Sequence, residues 1–197
     1  MVKIIALLLG YILGSVNSSI ILSKAMYFVD IRRRGSGNAG AANMARVHGL
    51  AAGVFTLLGD MAKTALSGLL GWLLFGSQGL VIACAGALIG HCWPVWYGFR
   101  GGKGVSVSAC IALLLDWRLF LALAVLFAVI FLLGRRVSLC SVLLALLYPG
   151  IYALLGHGWG LDMALCCLVT AVVVFCHRSN ISRLLKGQEP PFKPGKS

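Results

Sequence analysis

The sequence predicts an all-α integral membrane protein with about seven transmembrane helices. Of its 197 residues, 60% are hydrophobic and 11% are charged, whereas soluble domains are about half apolar and about a quarter charged. The apolar residues form long runs, which indicates that a bilayer is the solvent. The chain also has 17 Lys and Arg against 5 Asp and Glu, and the basic residues cluster between the runs, as they do in cytoplasmic loops.

The chain has seven apolar segments, most of which approach the length of about 20 residues that a helix needs to cross a bilayer. They lie at roughly 4–23, 50–75, 79–97, 105–115, 119–134, 138–155 and 161–176. The first resembles a signal peptide, but it lacks a strong basic start and a cleavage motif, so we expect it to be retained. The fourth is short, and we expect a turn at 116–118 to separate it from the fifth.

The placement of charge predicts the orientation. A single helix over 105–134 would put Arg135 and Arg136 opposite the earlier basic loop, whereas two passes keep every basic cluster, from Lys24 to Lys196, on one face. The positive-inside rule then puts the C-terminus in the cytoplasm and the N-terminus outside. We predict one membrane domain over 1–185, followed by a flexible cytoplasmic tail over 186–197 that is polar and rich in proline.

A glycine-rich segment over 35–46 is the first candidate site. Glycines let backbone N–H groups approach an oxyanion closely. Two asparagines and a serine add hydrogen-bond donors, and Arg46 adds a planar fork that suits phosphate. A flexible connector is the alternative. It explains the glycines and Ser36, but it explains less well why Asn38, Asn43 and Arg46 are grouped so closely, so we favour anion binding.

A second glycine-rich segment over 90–104 ends in the run Gly-Gly-Lys-Gly before an apolar segment that begins at Val105. This is not a Walker A motif, because the first glycine is one residue too near, Gly104 replaces Ser or Thr, and no strand precedes it. The N–H groups of a helix N-terminus and the ammonium of Lys103 still suit a phosphate. An interfacial aromatic belt with a basic loop is the alternative. It explains the aromatic residues well and the glycines poorly.

The third candidate segment, His177–Ile181, follows the last span. His177 suits a general base, but a histidine at a membrane exit is also common at the interface. Beside the other two segments, the two interpretations are equally favoured. Capping is the default role of Ser138 at a helix start, although a place in the site stays open. Within the second span, Asp60 and Lys63 share a helical face, and we expect them to pair or to face a polar cavity.

Several function classes are excluded by what the sequence lacks. Five scattered acidic residues do not form a carboxylate cluster for magnesium, which argues against the CDP-alcohol phosphotransferases. No cysteine- or histidine-rich metal set is present. We expect no metal, no cofactor and no nucleic acid partner.

Four features together resemble the bacterial acyl-phosphate:glycerol-3-phosphate acyltransferases: Gly35–Asn38, Gly90-His91 with Pro94, Phe99–Val105 and His177–Ile181. The likeness extends over nearly the whole chain in length, spacing and number of spans. It implies that a fatty acyl group moves from acyl phosphate to the 1-hydroxyl of glycerol 3-phosphate, which gives lysophosphatidic acid and phosphate. This reaction begins phospholipid synthesis at the cytoplasmic face of the bacterial inner membrane.

The resemblance also implies roles for residues. The catalytic residues would be Ser36, Lys103 and His177. The substrate-binding residues would be Gly35, Gly37, Asn38, Asn43, Arg46, His91, Gly101, Gly102, Gly104, Ser138 and Asn180. The glycine run around Lys103 would hold one phosphate, and the first segment with Asn180 would hold the second phosphate and the glycerol hydroxyls. Either His177 or the phosphate of the donor would take the proton of the attacking hydroxyl.

Two other functions fit parts of the pattern. A carrier or channel for phosphate-bearing solutes would need a continuous polar path, whereas the polar residues here crowd at one face. A scaffold that binds anionic lipid headgroups would need only the basic loops. The acyl chain length, the oligomeric state and the phosphate that each glycine loop binds stay open.

Overall fold

The computed structural model describes residues 2–195, which contain helices, turns and loops and no strand. The eight helices of this part of the chain are α1 (Val2–Gly14), α2 (Ser18–Tyr27), α3 (Ala41–Cys92), α4 (Val105–Leu115), α5 (Trp117–Gly134), α6 (Val137–Leu154), α7 (Leu161–Cys176) and α8 (Arg178–Leu185). Two short 3-10 turns, Ile31–Arg33 and Val95–Tyr97, lie in the loops.

The predicted first segment, 4–23, is interrupted between α1 and α2. Asn17 is fully buried there, and its side-chain oxygen accepts hydrogen bonds from the Ile20 N–H at 3.1 Å and the Ser19 hydroxyl at 2.7 Å. Its amide nitrogen donates to the carbonyl of Ala39 at 3.4 Å. A short polar side chain that bonds to nearby backbone begins a new helix instead of continuing the old one. The break thus connects α2 to the first glycine-rich loop.

Helix α3 is a chain of three helical stretches, over 41–48, 50–74 and 77–92. Gly49 has a φ of 86° and Gly76 a φ of 64°, and Phe75 before it is also non-helical. A straight helix of 52 residues would be about 78 Å long at 1.5 Å per residue, far more than the thickness of a bilayer. The two glycine breaks therefore divide α3 into lengths that a membrane accommodates.

Small residues let α1 pack closely on the last stretch of α3. Side chains added at Gly10 and Gly14 would overlap the backbone of Ala83 and Ala87. Close backbone approach through glycine and alanine is the usual means by which helices associate inside a bilayer. This packing places the end of α3, and the loop that follows it, beside the break between α1 and α2.

Asp116 alone separates α4 from α5, which confirms the predicted turn. Its carboxylate caps α5 by accepting the Arg118 N–H at 2.8 Å, and it also lies 2.7 Å from Nε2 of His157. Hydrogen bonds from Arg118 and His157 lower the pKa of Asp116. The predicted segments 138–155 and 161–176 agree with α6 and α7 to within one residue at each end. A bend of 64° separates α7 from α8.

The structure divides into two compact units. Within the described residues, the first contains 2–107 and 193–195, and the second contains Ser108–Phe192. In the second unit, Phe192 N–H donates to the carbonyl of Arg135 at 2.6 Å. The single membrane domain over 1–185 and the flexibility of 186–197 stay predictions, and Lys196 and Ser197 lie outside the described residues.

Four helical stretches among residues 2–195 are long and apolar enough to cross a membrane, and the bent α7–α8 pair is a fifth if it is counted as one span. Large apolar side chains cover the outside of these helices. Leu132 and Leu133 in α5, for example, are 77% and 85% exposed. Such surfaces are stable only against lipid, so the chain is a multi-pass membrane protein.

Candidate active site

Asn43 organises the first glycine-rich loop from within. Its amide nitrogen donates to the carbonyls of Ile31 at 3.2 Å, Arg34 at 3.0 Å and Asn38 at 3.0 Å. Its amide oxygen accepts the N–H of Ser36 at 2.8 Å. Asn43 is only 1% exposed, so its polar groups serve the loop backbone. The structure therefore supports a positioning role for Asn43, where the sequence predicted substrate binding.

The glycines of this loop are required by its geometry. Gly35 has a φ of 58°, and a side chain there would overlap the amide oxygen of Asn43. Gly37 has a φ of 74°, which again favours glycine. The Ser36 side chain is exposed at the turn, while Asn38 in the loop and Arg46 in the first turns of α3 are half-buried. The loop thus presents Ser36 outward and keeps its own backbone fixed.

The second loop closes back onto the end of α3. Gly101 N–H donates to the carbonyl of Cys92 at 3.2 Å, and Gly102 N–H donates to the carbonyl of His91 at 3.0 Å. These two N–H groups are therefore used within the protein, and phosphate binding by Gly101 and Gly102 stays a prediction. Lys103 is half-buried near the end of the loop, and Gly104 has a φ of 83° just before α4.

Gly102 is the point at which the two loops meet. A side chain added at Gly102 would overlap Nε2 of His91 and would lie 2.8 Å from the carbonyl oxygen of Ala39 in the first loop. Only glycine fits between the imidazole and that carbonyl. The first unit therefore brings the predicted residues around Ser36 and those around Lys103 into one neighbourhood.

Arg32 makes a second connection between the two loops. Its guanidinium donates to the carbonyls of Tyr97 at 2.7 Å and Arg100 at 3.4 Å, and it also holds Asp30 at 2.8 Å. The hydrogen bond from Arg32 lowers the pKa of Asp30 to about 2. From the sequence, Arg32 was one of three consecutive arginines. The only feature of the sequence that distinguishes Arg32 from its two neighbours is Asp30, the acidic residue two positions before it.

A buried polar cluster lies beneath the second loop. Asp60 Oδ1 is 3.0 Å from Nζ of Lys63, which confirms the predicted pairing of these two residues. The Nδ1 atom of His91 is 3.1 Å from the same Nζ. His91 is only 1% exposed, and its ring lies against Gly102. The sequence predicted a contact between His91 and substrate, whereas the structure shows His91 packed below the loop.

In the second unit, Glu189 brings Ser138 and Asn180 together. One oxygen of its carboxylate accepts hydrogen bonds from the Ser138 hydroxyl at 2.6 Å and the Asn180 amide at 2.7 Å. The other oxygen accepts from Arg183 at 2.7 Å. The default expectation that Ser138 caps a helix is wrong, because Arg136 occupies the N-cap position of α6.

Electrostatics keep the Glu189 carboxyl ionised. Burial by itself raises the pKa of Glu189, but the hydrogen bonds from Ser138, Asn180 and Arg183 outweigh it and hold the pKa below its usual value. Little in the sequence indicates a role for this residue, since it lies in a tail with three prolines. The only available signal was that Glu189 is the single acidic residue after Asp162.

His177 occupies the junction of α7 and α8 and is 3% exposed. Its Nδ1 atom lies 2.8 Å from the carbonyl oxygen of Val173. A carbonyl only accepts hydrogen bonds, so the proton of the neutral imidazole lies on Nδ1 and leaves Nε2 as the basic nitrogen. This tautomer suits the proton-accepting role that was predicted for His177.

Among residues 2–195, no group of three His, Cys, Asp or Glu side chains has a geometry that would hold a metal ion. Beside its carboxylates, the first unit offers amides, hydroxyls, cations and backbone N–H groups, and the second unit offers the His177 imidazole, the Asn180 amide and the Ser138 hydroxyl. Amides, cations and N–H groups bind anions, and an imidazole transfers protons. The groups of the first unit therefore suit a phosphate-bearing substrate.

Comparisons with known proteins agree with this chemistry. Residues 4–187 match the family described as glycerol-3-phosphate acyltransferase. A glycerol-3-phosphate acyltransferase of Rubrobacter xylanophilus is 39% identical over 194 residues, which cover 98% of this chain and 96% of the relative. One of Finegoldia magna is 40% identical over 182 residues, which cover 91% and 90%.

Two solved structures share the fold. The crystal structure of PlsY (YgiH), an integral membrane glycerol 3-phosphate acyltransferase, in its glycerol 3-phosphate form has a TM-score of 0.89 and 30% identity, and the match covers 97% of this chain and 96% of that one. Its lysophosphatidic acid form has a TM-score of 0.84, 28% identity and a coverage of 97% and 95%. The chain therefore belongs to the glycerol-3-phosphate acyltransferase family.

Proposed function

We propose that this chain transfers a fatty acyl group from acyl phosphate to the 1-hydroxyl of glycerol 3-phosphate and releases lysophosphatidic acid and phosphate. The glycerol 3-phosphate acceptor follows from the family, whose members carry it in their names. The acyl phosphate donor follows from the resemblance of the four sequence features. The single observation that supports the site best is the meeting of the two glycine-rich loops at Gly102.

In the reaction, the 1-hydroxyl oxygen of glycerol 3-phosphate attacks the acyl carbonyl carbon. The bond from that carbon to the phosphate oxygen breaks, and the phosphate leaves with the electron pair. The hydroxyl proton passes to Nε2 of His177 or to the departing phosphate. Acyl phosphate is a mixed anhydride and is already activated, so positioning and charge stabilisation are the main tasks of the protein.

Lys103 carries the largest role in this proposal. Lys103 lies on the loop whose backbone bonds to the carbonyls of His91 and Cys92. Its ammonium neutralises the charge that develops on the departing phosphate. Ser36 and Arg46 bind the second phosphate, since the Ser36 side chain is exposed and Arg46 offers a planar fork. Ser138, His177 and Asn180, in the second unit, keep their predicted roles as proposals.

The proposed arrangement in the membrane has seven crossings, with the N-terminus outside and the C-terminus in the cytoplasm of a bacterial inner membrane. Two of the crossings are the stretches 50–74 and 77–92 of α3, which Gly76 separates. The glycine-rich loops then lie at the cytoplasmic face. Alkaline phosphatase fused after Asp116 should be active, and a fusion after Arg136 should be inactive. The opposite pattern would invert the topology.

Purified protein in detergent tests the reaction itself. With acyl phosphate and glycerol 3-phosphate together, it should release phosphate and form lysophosphatidic acid, and acyl-CoA in place of acyl phosphate should give no product. Lys103→Ala should lower turnover by about 100-fold or more, while Lys186→Ala, at an exposed lysine just after α8, should match the wild type. Full turnover by Lys103→Ala would refute its role. The family match favours this enzyme over a carrier or channel.

A further inference from the structure

The buried cluster below the second loop contains more ionisable groups than the fold requires. Asp60 is fully buried, Lys63 is 8% exposed and His91 is 1% exposed. Burying charged groups in the interior of a membrane protein is strongly unfavourable unless each one is matched. A simple apolar contact between the helices would be more stable. The cluster therefore calls for an explanation beyond helix packing.

The Lys63 ammonium has polar neighbours on several sides. Its ammonium donates to the carbonyl of Val16 and approaches Asp60 Oδ1 at 3.0 Å and His91 Nδ1 at 3.1 Å. An ammonium has three N–H donors and no acceptor, so a charged Lys63 donates to Nδ1 of His91. In that state His91 is neutral with its proton on Nε2, and the opposite charges of Asp60 and Lys63 leave the cluster neutral as a whole.

The same cluster holds both ends of the segment 102–106. At one end, the His91 ring packs against Gly102, and the His91 carbonyl accepts the Gly102 N–H at 3.0 Å. At the other end, the hydroxyl of Ser106 donates to Asp60 Oδ2 at 3.0 Å. Lys103 lies between these two points. The position of its backbone is therefore fixed by groups buried below the loop.

We propose that Asp60, Lys63 and His91 are positioning residues for acyl transfer, which hold segment 102–106 so that Lys103 reaches the phosphate of the substrate. The cluster acts entirely through this segment, with no contact to substrate. Lys63 fixes the tautomer and orientation of His91, and Asp60 fixes the first turn of α4 through Ser106. This inference rests on the proposed phosphate-binding role of Lys103.

Ser106→Ala is the most direct test, because it removes the link between the cluster and α4 and leaves all the charges in place. We expect its KM for a phosphate-bearing substrate to rise about tenfold, the effect of losing a hydrogen bond to a charged group, with a smaller change in kcat. Ser106→Thr keeps the hydroxyl and should restore the wild-type KM. Ser67→Ala is the matched control, because its buried hydroxyl donates only to the Lys63 carbonyl of its own helix.

The charged pair needs a variant that still folds. Lys63→Met alone leaves the Asp60 carboxylate buried without its partner, so the protein is expected to be unstable. The double variant Asp60→Asn with Lys63→Met removes both charges together. We expect it to fold and to show the same rise in KM as Ser106→Ala, whereas wild-type KM and kcat in the folded double variant would overturn the proposal.

Two further results are decisive. Ser106→Ala with a lowered unfolding temperature but an unchanged KM would also overturn the proposal, because the cluster would then support only the fold. Lys103→Ala, measured in parallel, separates this inference from the proposed function. If Lys103→Ala is fully active, the phosphate role itself fails. If Lys103→Ala is inactive and the cluster variants are normal, only the positioning role fails.

Discussion

The guanidinium of Arg32 donates a 2.7 Å hydrogen bond to the carbonyl oxygen of Tyr97. This bond connects the residues before the first glycine-rich loop to the second loop. The same guanidinium holds the carboxylate of Asp30 through two of its nitrogens. A planar fork can bind a carboxylate and a carbonyl at once, and a lysine ammonium does not reproduce that geometry.

Replacing Arg32 with lysine should therefore lower kcat/KM, even though the charge is kept. We expect a decrease of about tenfold, from the loss of charge-assisted hydrogen bonds that position the second loop. Arg33→Lys is the matched control, because Arg33 is the exposed next residue in the same arginine run. Steady-state kinetics of both variants with glycerol 3-phosphate check the prediction. Equal activities would contradict it.

Asn43→Asp tests whether Asn43 organises the first loop. The change keeps the size of the side chain, but a carboxylate oxygen would face the carbonyls of Ile31, Arg34 and Asn38, which now accept from the amide nitrogen. Buried acceptors left unpaired cost about 1–3 kcal/mol, and the facing negative charge adds to that cost. We expect a lower unfolding temperature in detergent and little activity.

Asn38→Asp provides the comparison for this experiment. The contact of Asn38 with Asn43 is made through its backbone carbonyl, so its half-buried side chain is not part of that network. Its unfolding temperature should stay close to that of the wild type, whatever happens to its activity. If Asn43→Asp were as stable as Asn38→Asp, the amide of Asn43 would not be organising the loop.

The sequence predicted the later helices well because their boundaries are marked by residues with a clear physical effect. Asp116 caps α5, and the apolar runs on either side of it have helical lengths. The break at Asn17 was not predicted, because a single asparagine in an otherwise apolar run fits within a membrane helix. Only its contacts with Ile20 and Ala39 distinguish a cap from a tolerated polar residue.

The sequence predicted which types of residue form the candidate site. It predicted less well what each of those residues does. Glycines with an arginine and a lysine indicated phosphate, and the structure brings the two loops together at Gly102. The amide of Asn43 suits a substrate or a backbone equally, so the sequence left its partner open. The link from Lys63 to His91 spans 28 positions, and the sequence contains no signal that such distant residues meet.

Gly102→Ala should disrupt the meeting of the two loops by crowding alone. The added methyl would overlap His91 Nε2 and would lie 2.8 Å from the Ala39 carbonyl oxygen. We expect kcat/KM to fall by at least about tenfold, since crowding of a packed site typically costs about 1–3 kcal/mol. The measurement is steady-state phosphate release.

Gly98→Ala is the control for crowding. Gly98 has a φ of 65°, but no atom lies within 4 Å of an added methyl group. The Gly98→Ala variant therefore has a backbone strain of about 1 kcal/mol and no steric overlap. It should lose some stability and keep most of its activity. If both glycine variants lost activity equally, backbone strain would be sufficient to explain the loss.

Glu189→Gln should lower the stability of the protein at neutral pH. The carboxylate accepts from Ser138, Asn180 and Arg183, and these bonds hold its pKa below the usual value in spite of burial. A carboxyl whose pKa is lowered by folding stabilises the folded state fully at any pH above its unfolded-state pKa. This stabilisation is lost as the pH falls through the lower pKa of the folded state. The variant lacks this contribution at every pH.

The difference in unfolding temperature between wild type and Glu189→Gln should therefore be largest near neutral pH and should shrink in acid. Thermal unfolding in detergent over a range of acidic buffers checks this. Gln188→Ala, at the exposed preceding residue, should match the wild type throughout. A constant difference between Glu189→Gln and wild type at all pH values would mean that the charge of Glu189 does not contribute.

His177→Asn separates the two ways in which this residue can serve the reaction. The asparagine amide can still donate to the Val173 carbonyl, as Nδ1 of the imidazole does at 2.8 Å, so the α7–α8 junction should keep its geometry. Asparagine has no basic nitrogen in the place of Nε2. If His177 accepts the hydroxyl proton, kcat should fall by about 100-fold or more while the unfolding temperature stays near the wild-type value.

His177→Ala completes this test, because it removes the hydrogen bond to Val173 as well as the base. We expect it to lose as much kcat as His177→Asn and to be less stable. A His177→Asn variant with nearly full kcat, beside an impaired His177→Ala, would show that the hydrogen bond to Val173 is the contribution of this residue. The proton would then pass to the departing phosphate, since that group gains basic oxygens as the carbon–oxygen bond breaks.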